Sequence, residues 1–215
     1  MKKSRHRPSS LRAVNPRVVI ALFLVGVFVL TAVVLSAGGD ETDEAAPNTF
    51  DGSAMPKGVL APNFRLRNQD GETVTMRSLR GRPVVVTFLY TTCQDSCPIQ
   101  AQTVRGALDE LGHDVPALAI AVDPPRDTPE RAQAFLAKQR ATGRIDFVLG
   151  SHAELRPLWK GYAIRPQAVD EEHMARITLV DSRGYQRIGY PGSEATPERL
   201  AHDLRLLERE SSPTG

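Results

Sequence analysis

The pattern of apolar and polar positions divides the chain into an apolar segment, a polar stretch and a body in which strand and helix patterns alternate. Residues 18–39 carry no charge and are almost wholly apolar up to Leu35. Residues 40–61 are small and acidic, are interrupted by Pro and Gly, and show no apolar period. The pattern therefore predicts a membrane segment, then a flexible acidic linker, then a folded body that begins near Pro62.

The body, residues 62–210, is predicted to be a single α/β domain. Its predicted elements are a hairpin over 64–75, strands over 83–90, 117–122, 145–149, 175–180 and 185–190, and helices over 98–111, from 128, over 151–160 and from 196. A parallel βαβ half followed by an antiparallel ββα half is the order of thioredoxin-like folds. We therefore expect a central mixed sheet flanked by helices, with an N-terminal β-hairpin, and a disordered tail over 211–215.

The charges are divided unevenly along the chain. Six of the 27 basic residues and none of the 25 acidic residues precede residue 40, which leaves 21 basic against 25 acidic residues in the remainder. This balance argues against a nucleic-acid-binding body. Because basic flanks stay in the cytoplasm, residues 1–17 are predicted to be a basic cytoplasmic tail and the body to be extracytoplasmic.

The apolar segment predicts a single-pass anchor in the cell membrane. As a helix, the 22 residues over 18–39 would be about 33 Å long, enough for a hydrocarbon core of about 30 Å. Its length favours an uncleaved signal anchor, since the apolar region of a cleaved signal peptide runs only about 7–15 residues. Small residues near Ser36 keep cleavage open as the alternative.

The two cysteines are the first candidate for chemistry. Cys93 and Cys97 directly follow the strand over 83–90, at the end of the sheet where α/β proteins place their sites. Cys97 is predicted to cap a helix that starts near Pro98, which puts both sulfurs beside a helix N-terminus that favours thiolate. Three interpretations stay open: a structural disulfide, which this short loop would make weak, a thiol–disulfide exchange pair, and a soft-metal site suited to Cu(I).

A metal site needs a further ligand, and His173 is the histidine expected near the cysteines. If the strand over 175–180 lies antiparallel to the strand over 83–90, its first residues meet the last residues of the other. His173 lies at that start. Met174 is adjacent, but strand alternation points it away from His173. The histidines that are weaker candidates by position are His6, His113, His152 and His202.

Three sequence blocks carry a resemblance to a known family. Residues 91–98 read Thr-Thr-Cys-Gln-Asp-Ser-Cys-Pro, residues 122–130 read Val-Asp-Pro-Pro-Arg-Asp-Thr-Pro-Glu, and His173 is followed by Arg-Ile-Thr-Leu-Val-Asp over 176–181. These blocks resemble the SCO/SenC family of membrane-anchored, thioredoxin-fold copper-binding proteins that help assemble cytochrome c oxidase. The family's cysteine motif is Thr-x-Cys-Pro-Asp-x-Cys-Pro, so Gln94 stands where the family has Pro. The resemblance covers residues 61–208.

The resemblance implies a copper metallochaperone in which Cys93, Cys97 and His173 bind copper, as Cu(I) or alternatively as Cu(II). Its implied partners are the copper-accepting subunit of cytochrome c oxidase and an upstream copper donor or thiol reductant. The alternative is an enzyme, a thiol–disulfide oxidoreductase whose redox-active pair, Cys93 and Cys97, reduces the acceptor's cysteines with or without copper. A peroxidase resembling peroxiredoxins is a weaker rival, because their Pro-x-x-x-Thr-x-x-Cys motif needs Thr where this chain has Tyr90.

Overall fold

The computed structural model of the protein describes residues 49–165, 176–192 and 194–211. Within these ranges, no helix is both long enough and apolar enough to cross a membrane. The predicted basic tail over 1–17 and the predicted anchor over 18–39 lie outside the described residues.

A six-stranded mixed sheet forms the centre of the body. The strands in chain order are β1 (Ser53–Ala54), β2 (Arg65–Arg67), β3 (Thr73–Thr75), β4 (Val84–Leu89), β5 (Ala117–Ala121), β6 (Asp146–Val148), β7 (Arg176–Val180) and β8 (Gln186–Pro191). The sheet has the order β1-β8-β7-β4-β5-β6, in which β4, β5 and β6 are parallel and the other neighbours are antiparallel. Strands β2 and β3 form the predicted hairpin as a separate two-stranded sheet.

In the described part of the chain, four α-helices flank this sheet. They are α1 (Ser96–Leu111), α2 (Pro129–Lys138), α3 (His152–Gly161) and α4 (Pro197–Ser211), and a short 3-10 helix spans Met76–Leu79. Two predicted helix starts are confirmed, because Thr128 caps α2 and Ser151 forms a capping box with Glu154 at α3. Helix α4 extends through Ser211, the first residue of the predicted tail.

The start of α1 differs from the prediction. The helix begins at Ser96, so Cys97 lies in its first turn and Asp95 occupies the capping position. The residue before a proline is biased away from helical geometry. Cys97 is nevertheless helical, and its backbone N–H donates a hydrogen bond to the sulfur of Cys93 at 3.3 Å.

The central strand is placed as predicted. Every residue of β4 is buried, so both faces of the sheet are covered at this strand. Strand β7 runs antiparallel to β4, with Val84 opposite Val180 and Thr87 opposite Ile177. The first residue of β7 therefore lies beside the last residues of β4, where the segment with the cysteines begins.

Residues 49–61 belong to the folded body, although the sequence predicts a linker through residue 61. Strand β1 pairs with β8, and Leu60 forms a bridge with Tyr185. The carboxylate of Asp203 accepts the backbone N–H groups of Asp51 and Gly52 at 2.8 and 3.0 Å. A two-residue strand has too few positions to show an alternating pattern, so only these long-range partners reveal it.

Candidate metal centre

The two cysteines lie together in the turn between β4 and α1, as predicted. The backbone N–H of Cys93 donates to the carbonyl of Tyr90 at 3.2 Å, which closes the turn. The backbone N–H of Cys97 donates to Sγ of Cys93 at 3.3 Å, and Oγ of Ser96 lies 3.8 Å from the same sulfur. The two cysteines are not joined by a disulfide. The turn therefore presents two adjacent sulfurs at the C-terminal end of the central strand.

The two sulfurs differ in exposure, and the pKa of the buried Cys97 is raised. Cys93 is 7% exposed and Cys97 is 0% exposed. A hydrogen bond from the Cys97 side chain to Cys93, followed by burial, raises the pKa of Cys97. Burial and a side-chain hydrogen bond to Cys93 raise the pKa of Tyr90 to about 12. The prediction that the helix start favours thiolate at both cysteines is thus wrong for Cys97, which keeps its proton beside the sulfur of Cys93.

A buried carboxylate joins the cysteine turn to the next loop of the sheet. Asp127 accepts the backbone N–H of Thr91 at 2.7 Å and the backbone N–H of Asp123 at 3.0 Å. Burial raises the pKa of Asp127. Asp123 forms an ion pair with Arg126 within the same loop. These two acids shape the turn before α2, and the link to Thr91 is a contact that the sequence did not reveal.

An open pocket of about 590 Å³ lies against Cys93. One wall is the cysteine turn and the other is one face of α2. The lining residues are Thr91, Thr92, Cys93, Gln94 and Pro98 from the first wall, and Arg131, Ala134, Phe135, Lys138 and Gln139 from the second. Sequence reasoning missed the second wall. Helical spacing places residues 131, 134, 135 and 138 on one face, but nothing in the sequence says that this face lies beside the cysteines.

His173 and Met174 lie outside the described residues, so the third ligand stays a prediction. The three histidines within the described part of the chain have other neighbours. Nε2 of His113 is 2.7 Å from Oε1 of Glu208, and the ring of His152 meets the ring of Trp159 with centroids 5.1 Å apart. His202 lies between the carboxylates of Asp51 and Asp203. None of these three histidines lines the pocket beside Cys93.

Asp51, His202 and Asp203 form a second group of residues whose types suit a metal. Their ligand atoms lie within 4.8 Å of one another. Nδ1 of His202 is 3.2 Å from Asp51 and 3.1 Å from Asp203. Asp203 is fully buried and also accepts the backbone N–H groups of Asp51 and Gly52 and the hydroxyl of Tyr190. These hydrogen bonds give the group a structural role, because they hold residues 51–52 against α4; we call this group the clasp.

The mixed sheet, the flanking helices and the cysteine pair after the central strand define a thioredoxin-like α/β domain. The model of the SCO1/SenC family matches residues 53–208, which is most of the chain. The protein therefore belongs to the SCO1/SenC family. The match begins at β1, in agreement with the inclusion of residues 53–61 in the folded body.

Two relatives illustrate the extent of the similarity. The chain is 32% identical to Protein SenC of Rhodobacter capsulatus over 174 residues, which cover 76% of this chain and 77% of SenC. It is 27% identical to the mitochondrial SCO1 homolog 1 of Arabidopsis thaliana over 126 residues, 57% of this chain. That match spans only 37% of the length of the plant protein.

Two solved structures share the fold. One is BsSco, described as a member of the Sco family of cytochrome c oxidase assembly proteins with a disulfide switch. Its sequence is 26% identical to this chain, the TM-score is 0.64, and the alignment covers 74% of this chain and 97% of BsSco. The structure of Bradyrhizobium japonicum ScoI with copper bound is 29% identical with a TM-score of 0.55 and covers 68% of this chain and 98% of its own.

Proposed function

We propose that this chain is a membrane-anchored, extracytoplasmic copper metallochaperone that assists assembly of the copper centre of cytochrome c oxidase. In this proposal Cys93, Cys97 and His173 bind the copper. The observation that carries it is the adjacency of the two thiols, in which the N–H of Cys97 lies 3.3 Å from Sγ of Cys93, in a chain of the SCO1/SenC family.

The chemistry of the site suits copper as a cargo. Thiolate sulfur is a soft ligand that prefers Cu(I), and two sulfurs held in one turn bind the ion without a large rearrangement. Because Cys93 lines an open pocket and Cys97 is buried, an acceptor ligand approaches from the Cys93 side. Transfer then proceeds by stepwise substitution, in which each new ligand on the acceptor replaces one on the donor. The copper-bound relative from Bradyrhizobium japonicum supports the choice of metal.

The register of β7 supports His173 as the third ligand. The carbonyl of Arg176, the first residue of β7, lies 3.3 Å from the hydroxyl of Thr87, near the end of β4. A chain extends at most about 3.6 Å per residue, so three residues limit His173 to about 11 Å from Arg176. That range includes the neighbourhood of the cysteine turn.

The membrane anchor and the partners complete the proposal. The basic residues before position 40 and the uncharged segment over 18–39 support an anchor with a cytoplasmic N-terminus. A tether to the membrane raises the effective concentration of the copper site near a membrane-bound acceptor. The expected acceptor is the copper-accepting subunit of cytochrome c oxidase, and an upstream copper donor or thiol reductant acts before it.

Copper titration of the reduced full chain tests the ligand set. We expect one Cu(I) per chain in competition with a chromophoric chelator, loss of that copper in Cys93→Ser and in Cys97→Ser, and weakened binding in His173→Ala. His152→Ala is the matched control, because His152 contacts Trp159 and does not line the pocket. Unchanged affinity in His173→Ala contradicts the three-ligand set, and unchanged affinity in Cys93→Ser contradicts the whole centre.

A thiol–disulfide oxidoreductase is the second candidate, and the inequality of the two cysteines favours it. An accessible Cys93 with a buried Cys97 is the arrangement of a nucleophile and a resolving thiol. The relative BsSco is described as carrying a disulfide switch. The variant His173→Ala separates the two candidates. If it loses oxidase assembly but keeps disulfide exchange, the result favours copper delivery. If oxidase assembly survives in this variant, the result favours thiol reduction.

A further inference from the structure

The pocket beside Cys93 carries positive charge on the wall that faces the cysteine turn. Arg131 and Lys138 are the charged residues of its lining, and no acidic residue lines it. Asp95 is exposed in the cysteine turn but is not part of the lining. The pocket therefore has the electrostatics of a site for a negatively charged group.

The two cations are held on one face of α2. They are seven positions apart, with the buried ring of Phe135 between them on the same face. The guanidinium of Arg131 donates to the carbonyl of Arg126 at 3.3 Å, which restrains it next to the loop after β5. Within the described ranges of the chain, neither cation forms an ion pair, so neither charge is neutralised by a neighbour.

Access to the sulfurs runs through this pocket. Cys93 lines it, whereas Cys97 is fully buried and does not. A partner sulfur that enters this pocket therefore meets Cys93 beside the cationic face of α2. Ile99, 61% exposed, follows Pro98 at the start of α1 and offers an apolar contact outside the pocket. The pocket is open to solvent along one side, so a segment of a partner protein can enter it with its flanking residues outside.

We propose that the pocket recognises an acidic segment of the partner protein, with carboxylates of Asp or Glu that flank the partner's reactive cysteine. Arg131 and Lys138 bind these carboxylates and so direct the partner's sulfur to Cys93. This inference rests on the proposed exchange of copper or disulfides at Cys93. Opposite charges at such a surface increase the rate of encounter and fix the orientation of the partner.

The copper-free, reduced chain tests this charge selectivity with two disulfide reagents. 5,5′-Dithiobis(2-nitrobenzoate) carries two negative charges, and 4,4′-dithiodipyridine is neutral. With either reagent the Cys93 thiolate attacks the disulfide and releases one thiolate. Cys97 then loses a proton, attacks the mixed disulfide and releases the second thiolate, so two electrons pass from the cysteine pair to the reagent.

The measured quantity is the ratio of the two rate constants, anionic reagent over neutral reagent. The pocket variant carries both Arg131→Ala and Lys138→Ala. In this variant we expect the ratio to fall about three- to tenfold at low ionic strength, and the fall to become smaller as salt is added. The matched control is Arg156→Ala with Lys160→Ala, which removes two exposed cations of α3 that do not line the pocket. An unchanged ratio in the pocket variant, or an equal fall in the control, overturns the proposal. Lys138→Ala alone provides the test if the double variant does not fold.

A second experiment identifies the source of the carboxylates. The rate at which the oxidised chain is reduced is measured with two synthetic dithiol peptides, one with Asp and one with Lys beside the cysteines. It is measured separately with two small thiols, the anionic mercaptosuccinate and the neutral 2-mercaptoethanol. We expect faster reduction by the Asp peptide, and loss of that preference in the pocket variant. A preference for mercaptosuccinate without one for the Asp peptide overturns the assignment to a protein segment. Copper stoichiometry of the unaltered chain tests the proposed function independently, because no metal is present in either experiment.

Discussion

The backbone N–H of Cys97 donates a hydrogen bond to Sγ of Cys93 across 3.3 Å. The side chain of Cys97 is hydrogen bonded to the same sulfur, and this contact is the chief cause of its raised pKa. The pair therefore consists of an acceptor sulfur that lines the open pocket and a fully buried sulfur with a raised pKa. This inequality determines which sulfur meets a reagent first, and it leads directly to the first prediction.

Alkylation with iodoacetamide is expected to modify Cys93 before Cys97. Only a thiolate reacts, and each unit by which a thiol pKa exceeds the pH lowers the thiolate fraction about tenfold. In Cys93→Ala the main cause of the raised pKa of Cys97 is removed, so its alkylation should begin at a lower pH than in the unaltered chain. Intact-mass measurement across a pH series follows both events. Equal rates at the two cysteines of the unaltered chain contradict this prediction.

Asp127→Asn is expected to lower the free energy of unfolding by about 1–3 kcal/mol. The carboxylate accepts N–H groups from Thr91 and Asp123 through its two oxygens, and an amide has only one oxygen. One of these N–H groups would therefore face an NH₂ group. Urea unfolding at neutral pH measures the loss, and Glu72→Gln, an exposed carboxylate between β2 and β3, is the control.

The effect of Asp127 should also depend on pH. Burial raises its pKa above the ordinary value of 3.8, so the folded chain holds this proton more tightly than the unfolded chain. Its contribution to stability is thus complete below pH 3.8 and is lost as the pH rises through the folded pKa. The difference in stability between the unaltered chain and Asp127→Asn should narrow over that range. A difference that widens with pH contradicts the assignment.

Asp203→Ala is expected to cost about 3 kcal/mol of stability, because the part-buried backbone N–H groups of Asp51 and Gly52 lose their acceptor. The hydroxyl of Tyr190 also loses this carboxylate, 2.5 Å away, and keeps only the carbonyl of Arg199 at 3.2 Å. Tyr190→Phe removes one of these donors and should cost about 1 kcal/mol. Urea unfolding measures the free energy of unfolding of both variants and shows which one loses more. Cleavage of residues 49–60 by protease should accelerate in Asp203→Ala, and unchanged cleavage would argue against the clasp.

Gly52→Ala tests whether the segment before residue 62 is packed on the body. A Cβ at this position would lie 2.4 Å from Cγ2 of Ile188 and 2.6 Å from the ring of Tyr190, two buried side chains that cannot withdraw. Gly58→Ala is the control, since it meets open space and costs only the left-handed backbone strain of about 1 kcal/mol at a φ of +81°. Thermal unfolding should show the larger loss at Gly52. Near-equal small losses would mean that this segment behaves as a linker.

Much of the fold was predictable because short-range patterns encode it. The β-branched run over 84–89 becomes the fully buried strand β4. Thr128 and Ser151 cap the helices that they were predicted to start. The antiparallel pairing of β7 with β4 also follows the prediction, with Thr87 opposite Ile177. The strand and the caps depend on neighbours in the chain, whereas the pairing was expected from the order of the elements in a thioredoxin-like fold.

The missed features depend on contacts between distant segments. Strand β1 has two residues, and its place is set by β8 and by Asp203, more than 130 positions later in the chain. The start of α1 at Ser96 instead of Pro98 is a local exception, and there the sulfur of Cys93, four residues earlier, accepts the N–H of Cys97. The face of α2 with Arg131 and Lys138 has helical spacing in the sequence, but its partner wall does not follow from that spacing.

The sequence by itself determined the family, the order of the elements and the position of both cysteines after the central strand, because motifs and periodicities are properties of neighbouring residues. It also made His173 the expected third ligand, which stays a prediction. Only the tertiary structure decided that Cys93 lines an open pocket while Cys97 is fully buried, and that two cations of α2 line the same pocket. Burial, pKa and local charge depend on which segments pack together in space, and no spacing along the chain specifies that packing.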